Sequence, residues 1–280
     1  MSYLVKAQPR AEGIRCIARP GTAPLRYLEF SVLALAGGRS AALPADDREM
    51  VVYLLSGRVI VAAEALRAPI TLGPRRNVFA DPPWAAYFPP GTAVRVSAED
   101  EDVEAVVVRA PSDSRSPAVR ITPADVEQRT VGAATWRRTV YNVVDATRGA
   151  GRLMVGETIN PPGHWSSYPP HKHDARTASG ELPMEEVYYY LTRPAGGFGL
   201  QMLYTAPGHP EPIDDVYRVE SGDLLVIPRG YHPVVAAAGY DLYYLWAMAG
   251  ERTRYGAWSD DPAHAWVRER ERSLLHREHA

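Results

Sequence analysis

The sequence lacks several features that would assign it to common classes of protein. It contains a single cysteine, Cys16, which excludes an internal disulfide framework and is typical of a protein of the reducing cytoplasm. The formal net charge of −2 is too small to indicate nucleic-acid binding. No run approaches the roughly 20 apolar residues of a membrane span, and the first residues lack the apolar core of a signal peptide. We therefore expect a cytoplasmic protein without nucleic-acid or membrane partners.

Turn-forming residues are abundant by contrast. The chain has 25 prolines and 22 glycines, and they separate short apolar runs, which predicts an all-β protein. Ser56-Gly57 is one of the predicted turns. The predicted strands lie at 28–35, 50–55, 59–63, 85–88, 94–96, 103–108, 153–157, 187–191, 199–204, 215–219, 224–227, 234–237 and 242–248. Short helices are expected at 121–129 and at 262–275.

The two halves of the chain share a weak internal echo. Residues 51–55 resemble residues 187–191, and residues 87–92 resemble residues 226–231. The Pro- and Ser-rich segment 111–117 is the predicted linker between them. We therefore predict two domains, at 1–117 and at 118–280. The first half contains no histidine, so it cannot offer the metal site that the second half predicts.

A histidine-rich pattern in the second half predicts a metal site. His171 and His173 flank one residue, so on a strand both side chains point to the same face, away from that of Lys172. His232 follows a Pro-x-Gly turn at the end of an apolar run. Glu186 opens an aromatic run that is typical of a strand. Three imidazoles and a carboxylate suit one divalent ion, and this ligand set is compatible with Zn, Mn, Fe, Co or Ni.

Two adjacent glutamates compete for the fourth ligand position. Strand alternation places Glu186, Tyr188 and Tyr190 on one face and Glu185 on the other. Four protein ligands would leave one or two positions of the ion open, which distinguishes a catalytic site from a closed structural one.

The motifs around these residues resemble those of a known superfamily. Residues 222–232 are close to the second sequence motif of the cupin barrel, and residues 163–186 are a stretched form of the first. That resemblance favours Glu186 as the ligand and implies a bicupin, which is two antiparallel double-sheet barrels, the first of them without metal. Most of the chain further resembles the 5-deoxy-glucuronate isomerase family of myo-inositol catabolism. The segments that carry this resemblance are 165–174, 185–189, 228–234 and 239–245. Departures from the family pattern occur at His164, where that family usually has a small polar residue, and at Trp246, where it usually has asparagine.

The family resemblance implies an aldose–ketose isomerisation of open-chain 5-deoxy-glucuronate to 5-dehydro-2-deoxy-gluconate. A metal would stabilise the enediolate that forms when a proton leaves the carbon next to the aldehyde. The candidates for the base are Tyr188, Tyr190, Glu185 and a metal-bound hydroxide, and the sequence does not choose among them. A hydride shift would need no base.

The carboxylate of such a substrate requires a cationic partner, preferably an arginine. The candidates are Arg176, Arg229 and, less favoured because it points away from the metal, Lys172. Rival functions are the isomerisation of another uronic acid, a metal-dependent dioxygenase and a non-catalytic sugar-binding bicupin, because one fold hosts many chemistries. A homo-oligomer is also compatible with the sequence.

Overall fold

The computed structural model describes residues 2–278 of the chain, and strands dominate it. The strands of the first half are β1 (Leu4–Val5), β2 (Gly13–Ala18), β3 (Glu29–Leu35), β4 (Ser40–Leu43), β5 (Arg48–Ala63), β6 (Ile70–Arg75), β7 (Trp84–Phe88), β8 (Val94–Ala98), β9 (Val103–Pro111) and β10 (Val119–Ile121). Those of the second half are β11 (Gln128–Val131), β12 (Arg138–Val144), β13 (Leu153–Asn160), β14 (Trp165–Ser166), β15 (His171–Lys172), β16 (Met184–Arg193), β17 (Phe198–Tyr204), β18 (Asp214–Glu220), β19 (Leu224–Ile227), β20 (Val234–Ala236), β21 (Asp241–Gly250) and β22 (Ser259–Asp260).

Helical structure is sparse in the described part of the chain. One α-helix, α1 (Val267–Glu278), ends it, and three single 3₁₀ turns lie at Pro123–Asp125, Ala134–Trp136 and Ala146–Arg148. Within residues 2–278 no helix has both the length and the apolar character that crossing a membrane requires. The mainly β class predicted from the turn-rich sequence is therefore confirmed.

The strands form two large antiparallel sheets and two small ones. The seven-stranded sheet has the order β1-β19-β16-β21-β13-β12-β11. The nine-stranded sheet has the path β10-β7-β5-β9-β3-β2, with β4, β6 and β8 joined to it through the long β5. A four-stranded sheet, β14-β20-β17-β18, and the pair β15-β22 complete the second half. In this pairing pattern β1, from the beginning of the chain, becomes an edge strand of a sheet of the second half.

Side-chain alternation along β16 divides the interior of the second half. Val187 and Tyr189 pack into a core that also contains Tyr53 and Tyr87 of the first half. Tyr188 and its face of β16 pack into a separate core formed by residues of the second half. The alternation predicted from the sequence is thus confirmed. One face of β16 joins the two halves, and the other lines the interior that contains the predicted site.

Two local predictions are wrong for identifiable physical reasons. Ser56-Gly57 is not a turn between strands, because β5 continues through it with a bulge at Gly57, whose φ of 91° suits glycine. The helix predicted at 121–129 is only the 3₁₀ turn 123–125. The Asp125 carboxylate there accepts both the amide and the hydroxyl of Thr122, at 2.8 and 2.7 Å, and the chain then enters β11.

Candidate metal centre

Three segments of the second half bring the predicted metal ligands together. Glu186 lies near the start of β16, which pairs with the end of β19. The chain turns at 228–231 after β19 and then reaches His232. His171 begins β15, held by its pairing with β22, and His173 follows two residues later. The site therefore depends on the main sheet for its carboxylate and on two tight connections for its imidazoles.

Three of the four predicted ligands form a compact buried group. The ligand atoms of His173, Glu186 and His232 all lie within 4.8 Å of one another. The Nε2 atoms of His173 and His232 lie 3.1 and 3.4 Å from the same carboxylate oxygen, Oε2 of Glu186. The other oxygen, Oε1, and the Nε2 of His232 are buried without a hydrogen-bond partner in the described structure. Because buried polar atoms are normally paired, the orphaned Nε2 of His232 fits coordination of a cation, with Oε2 of Glu186 beside it, and the orphaned Oε1 is left for a further contact.

The opposite ring nitrogens fix the orientation of the histidines. The Nδ1 of His173 lies 2.7 Å from a backbone carbonyl oxygen, and that of His232 lies 2.9 Å from another. The corresponding distance for His171 is 3.4 Å. A carbonyl only accepts, so Nδ1 carries the proton and the lone pair of Nε2 is available for a metal. Metal-binding histidines are commonly held by such outer contacts.

His171 lies at the edge of the group. Its ring centroid is 4.9 Å from that of His232 and 6.4 Å from that of His173. The His171 ring is stacked on that of Trp258, with centroids 4.8 Å apart and an interplanar angle of 25°. The structure thus places His171 beside the three-residue group rather than within it. A role for His171 as fourth ligand stays a prediction.

Burial sets the protonation of the cluster. It lowers the pKa of His232 to about 3, aided by the charge of His173, and it lowers the pKa of His171 well below the usual value. Burial also raises the pKa of Glu186. Burial alone would lower the pKa of His173, but the hydrogen bond and charge of Glu186 outweigh it and raise that pKa. Two imidazoles are therefore neutral near pH 7, which is the form that binds metals.

A cavity opens beside the cluster. Its wall contains His171 and Glu186, two tyrosines, two tryptophans and two arginines: Tyr188, Tyr244, Trp246, Trp258, Arg138 and Arg268. Apolar rings and a few polar groups that converge are the usual composition of a small-molecule site. In the described residues the only carboxylate in this wall is that of Glu186.

Trp246, one of the two departures from the family pattern, contributes to the cavity wall. It pairs across the strands with Gly156. A Cβ added at Gly156 would lie 2.2 Å from the Trp246 ring and 2.2 Å from the backbone oxygen of Tyr141. The other departure, His164, is not in the wall, and its Nδ1 lies 2.8 Å from the carbonyl of Arg137. Glycine at 156 therefore makes room for the indole that shapes the site.

The three residues proposed as bases lie in different environments. Tyr188 lines the cavity, and its hydroxyl lies 2.8 Å from that of Ser167. Tyr190 lies behind the wall, where its buried hydroxyl donates to Gln201 at 2.8 Å. Glu185 faces away from the cavity, and its carboxylate accepts the backbone amides of residues 26–28 at 2.6–2.8 Å. The Glu185 side chain thus lies on the opposite face of β16, and its carboxylate is already bound by three backbone amides.

The three predicted carboxylate-binding cations also lie outside the cavity wall. Arg176 is exposed, 4.0 Å from Glu251. Arg229 points outward to Glu211, at 2.9 Å. Lys172 is bound by the carboxylates of Asp174 and Glu181, at 2.5 and 2.8 Å. Proximity to the histidines in sequence is thus a poor guide here, because these side chains leave the strands and turns on the solvent side.

The sequence reasoning missed the cations that do line the cavity. Arg138 begins β12, and Arg268 is the second residue of α1. Neither lies in a recognisable motif. The one available signal was strand alternation, which places Arg138 and Val140 on the same face of β12. Alternation alone does not tell which face points inward, because that depends on the pairing of β12 with β13.

Comparisons of the fold define the class of protein. The crystal structure of an oxalate decarboxylase from Lactobacillus farciminis superposes with a TM-score of 0.63, over 90% of this chain and 86% of that one, at 13% identity. At that identity the likeness shows the fold alone. The protein is a mainly β, cupin-like protein with a buried His/Glu/His group compatible with a metal.

Closer relatives define the family. Residues 3–267 match the model of the KduI/IolB family. A 5-deoxy-glucuronate isomerase from Geobacillus kaustophilus (strain HTA426) is 37% identical over 262 residues, covering 93% of each chain. The crystal structure of an IolB-like protein from Salmonella typhimurium LT2 superposes with a TM-score of 0.87 at 33% identity, over 95% of this chain and 98% of that one. The chain belongs to the KduI/IolB family, as the resemblance in its sequence predicted.

Proposed function

We propose that this protein is a metal-dependent aldose–ketose isomerase that converts 5-deoxy-glucuronate to 5-dehydro-2-deoxy-gluconate in myo-inositol catabolism. The observation that supports it best is the buried group of His173, Glu186 and His232, with its orphaned ligand atoms, beside a cavity of polar and aromatic side chains. Relatives of more than 30% identity over almost the full length bear the name of this isomerase. The cytoplasm, where intermediary metabolism takes place, is the proposed location.

The cofactor would be one divalent transition metal, with Zn, Mn, Fe, Co and Ni as candidates. His173, Glu186 and His232 would hold it, and His171 would complete the set. When bound, the ion supplies a Lewis acid that polarises the carbonyl group and orients the neighbouring hydroxyl.

Proton transfer would be performed by the residues of the cavity wall. The Oε1 atom of Glu186 has no partner and belongs to the only carboxylate of the wall in the described residues. We therefore assign to Oε1 the role of the base that removes the proton from the substrate carbon next to the aldehyde. That proton is then returned to the former aldehyde carbon, while the proton of the neighbouring hydroxyl group passes to the former aldehyde oxygen, which leaves a ketone and a primary alcohol. Burial raises the pKa of Tyr188 well above its usual value, so its phenol stays protonated. Tyr188 therefore donates a hydrogen bond to the developing enediolate instead of acting as a base.

The architecture we propose is a bicupin with domains at 1–117 and 118–280. The long β5 and its partners would form the first barrel, and the sheets around β16 and β17 the second. Only the second has histidines among its strands. Tyr53 of the first and Tyr243 of the second both donate to Glu157, at 2.7 and 2.9 Å, and this carboxylate also pairs with Arg75. This fully buried network supports two barrels packed as one unit.

Proton NMR of 5-deoxy-glucuronate in D₂O tests this function, with the metal-loaded protein beside His173→Ala. We expect the aldehyde signal to disappear only with the unaltered protein, and deuterium to enter the former aldehyde carbon. Turnover without deuterium would indicate either a hydride shift or a proton that is shielded from exchange with the solvent during its transfer. Absence of turnover by metal-loaded protein would contradict the substrate assignment and direct the same assay to other uronic acids and then to oxygen uptake.

A further inference from the structure

Arg138 is a cation of the cavity wall with unused hydrogen-bonding capacity. Its Nε is buried and has no hydrogen-bond partner in the described structure. One of its terminal nitrogens donates to the backbone oxygen of Trp136 at 3.1 Å. The same wall contains His171 and Glu186 of the candidate metal centre. Arg138 therefore faces the space in which a substrate of that centre would bind.

No acidic side chain of residues 2–277 lies within ion-pair distance of Arg138. The other cavity arginine, Arg268, is bound in a bidentate pair by Asp260, at 2.8 and 2.9 Å, so its charge is already compensated. The nearby acid Glu271 accepts the indole N–H of Trp136 at 2.8 Å. Burial lowers the pKa of Arg138, and no paired acid compensates its charge. A partly buried arginine without a counter-ion is costly in a protein interior.

The surroundings hold this guanidinium in place. A Cβ added at Gly132 would lie 2.8 Å from a terminal nitrogen of Arg138, and the φ of Gly132 is +84°, so glycine leaves room for the side chain. His164 contacts the carbonyl of the preceding residue, Arg137, at 2.8 Å. A planar fork of donors held in this way matches a carboxylate, which it binds by two parallel hydrogen bonds.

We propose that Arg138 binds the carboxylate of the substrate and makes the site selective for a sugar acid over a neutral sugar of the same length. This inference rests on the proposed function for the identity of the sugar. It assigns to Arg138 the role that the sequence pattern gave to Arg176, Arg229 or Lys172. The aldehyde end of the same molecule would then lie at the metal centre, because the carboxylate is at the opposite end of the carbon chain.

The test compares an acid with its neutral counterpart in the metal-loaded protein. The kinetic pair is 5-deoxy-glucuronate and 5-deoxy-glucose. The binding pair consists of their alditol forms, which have no aldehyde and cannot react, measured by titration calorimetry. For Arg138→Met we expect kcat/KM and affinity for the acid to fall about 100-fold, while values for the neutral sugar stay within about twofold. Arg138→Lys should lose about tenfold, since it keeps the charge without the fork.

Arg176→Met is the matched control, and we expect it to leave both members of each pair unchanged. An equal loss for acid and neutral sugar in Arg138→Met, at unchanged metal content, would overturn the inference and make Arg138 structural. If Arg138→Met does not fold, a Lys variant that keeps the full preference for the acid would overturn it equally. The unaltered protein could also bind the acid without isomerising it. If Arg138→Met then bound the acid more weakly, the inference would be supported and the proposed function contradicted.

Discussion

Glu49 and Glu185 make the same contact in opposite directions across the two halves. Glu49 of β5 accepts the backbone amides of residues 151–153, at 2.7–2.8 Å. Glu185 of β16 accepts those of residues 26–28, at 2.6–2.8 Å. Each glutamate stands two residues before the echoed strand segment of its own half. The internal echo of the sequence thus has a structural purpose, because each half fixes the backbone of the other.

The first prediction concerns stability and separates Glu185 from the chemistry. Replacing Glu185 by Ala leaves three backbone donors without their acceptor, so we expect the free energy of unfolding to fall by about 3 kcal/mol. Metal content and the KM for the acid should not change, since the side chain faces away from the cavity. Urea unfolding and elemental analysis measure the two effects. Glu49→Ala is the matched variant and should lose a similar amount. A loss of turnover in folded Glu185→Ala without a loss of stability would restore Glu185 as a candidate base.

The second prediction concerns the metal. His232→Ala should abolish stoichiometric metal binding, because its Nε2 is one of the atoms of the cluster, whereas His209→Ala, at a half-buried histidine outside the cluster, should retain it. A chelator should lower the melting temperature of the unaltered protein. Adding the ion back at a free concentration of 100 times its Kd should raise the free energy of unfolding by about 2.7 kcal/mol. His232→Ala should show no such response. Full metal occupancy in that variant would contradict the assignment of the centre.

The third prediction concerns the shape of the cavity. Gly156→Ala places a methyl group against both the Trp246 ring and a backbone oxygen, so we expect a destabilisation of about 1–3 kcal/mol, measured by thermal unfolding. Combining it with Trp246→Leu should recover part of that loss, because only the contact with the ring is relieved. If the double variant lost more stability than the two single variants lose together, the indole would not be the group that requires glycine at position 156.

The sequence predicted most strands and the segments that contain the candidate metal ligands, because both depend on local patterns. Alternation along β16 separates Glu186 from Glu185 in the structure as it does in the sequence. It could not reveal Arg138, whose position in the cavity depends on the pairing of β12 with a distant strand. Nor could it show that Arg229 and Lys172 are already paired with acids, since those partners come from a loop and a turn whose conformation the sequence does not determine.

The last prediction concerns Asp174, which connects the two loops that contain the histidine ligands. One carboxylate oxygen accepts Lys172 at 2.5 Å, and the other accepts the amide of Gly230 at 2.8 Å, two residues before His232. We expect Asp174→Asn to weaken metal affinity about 10- to 100-fold, because outer contacts of this kind orient the ligands. Competition with a chelating dye measures it. Asp214→Asn, at an exposed carboxylate, is the control and should bind metal normally. Unchanged affinity in Asp174→Asn would mean that the main sheet alone positions the imidazoles, and that the contact with Gly230 only shapes the turn.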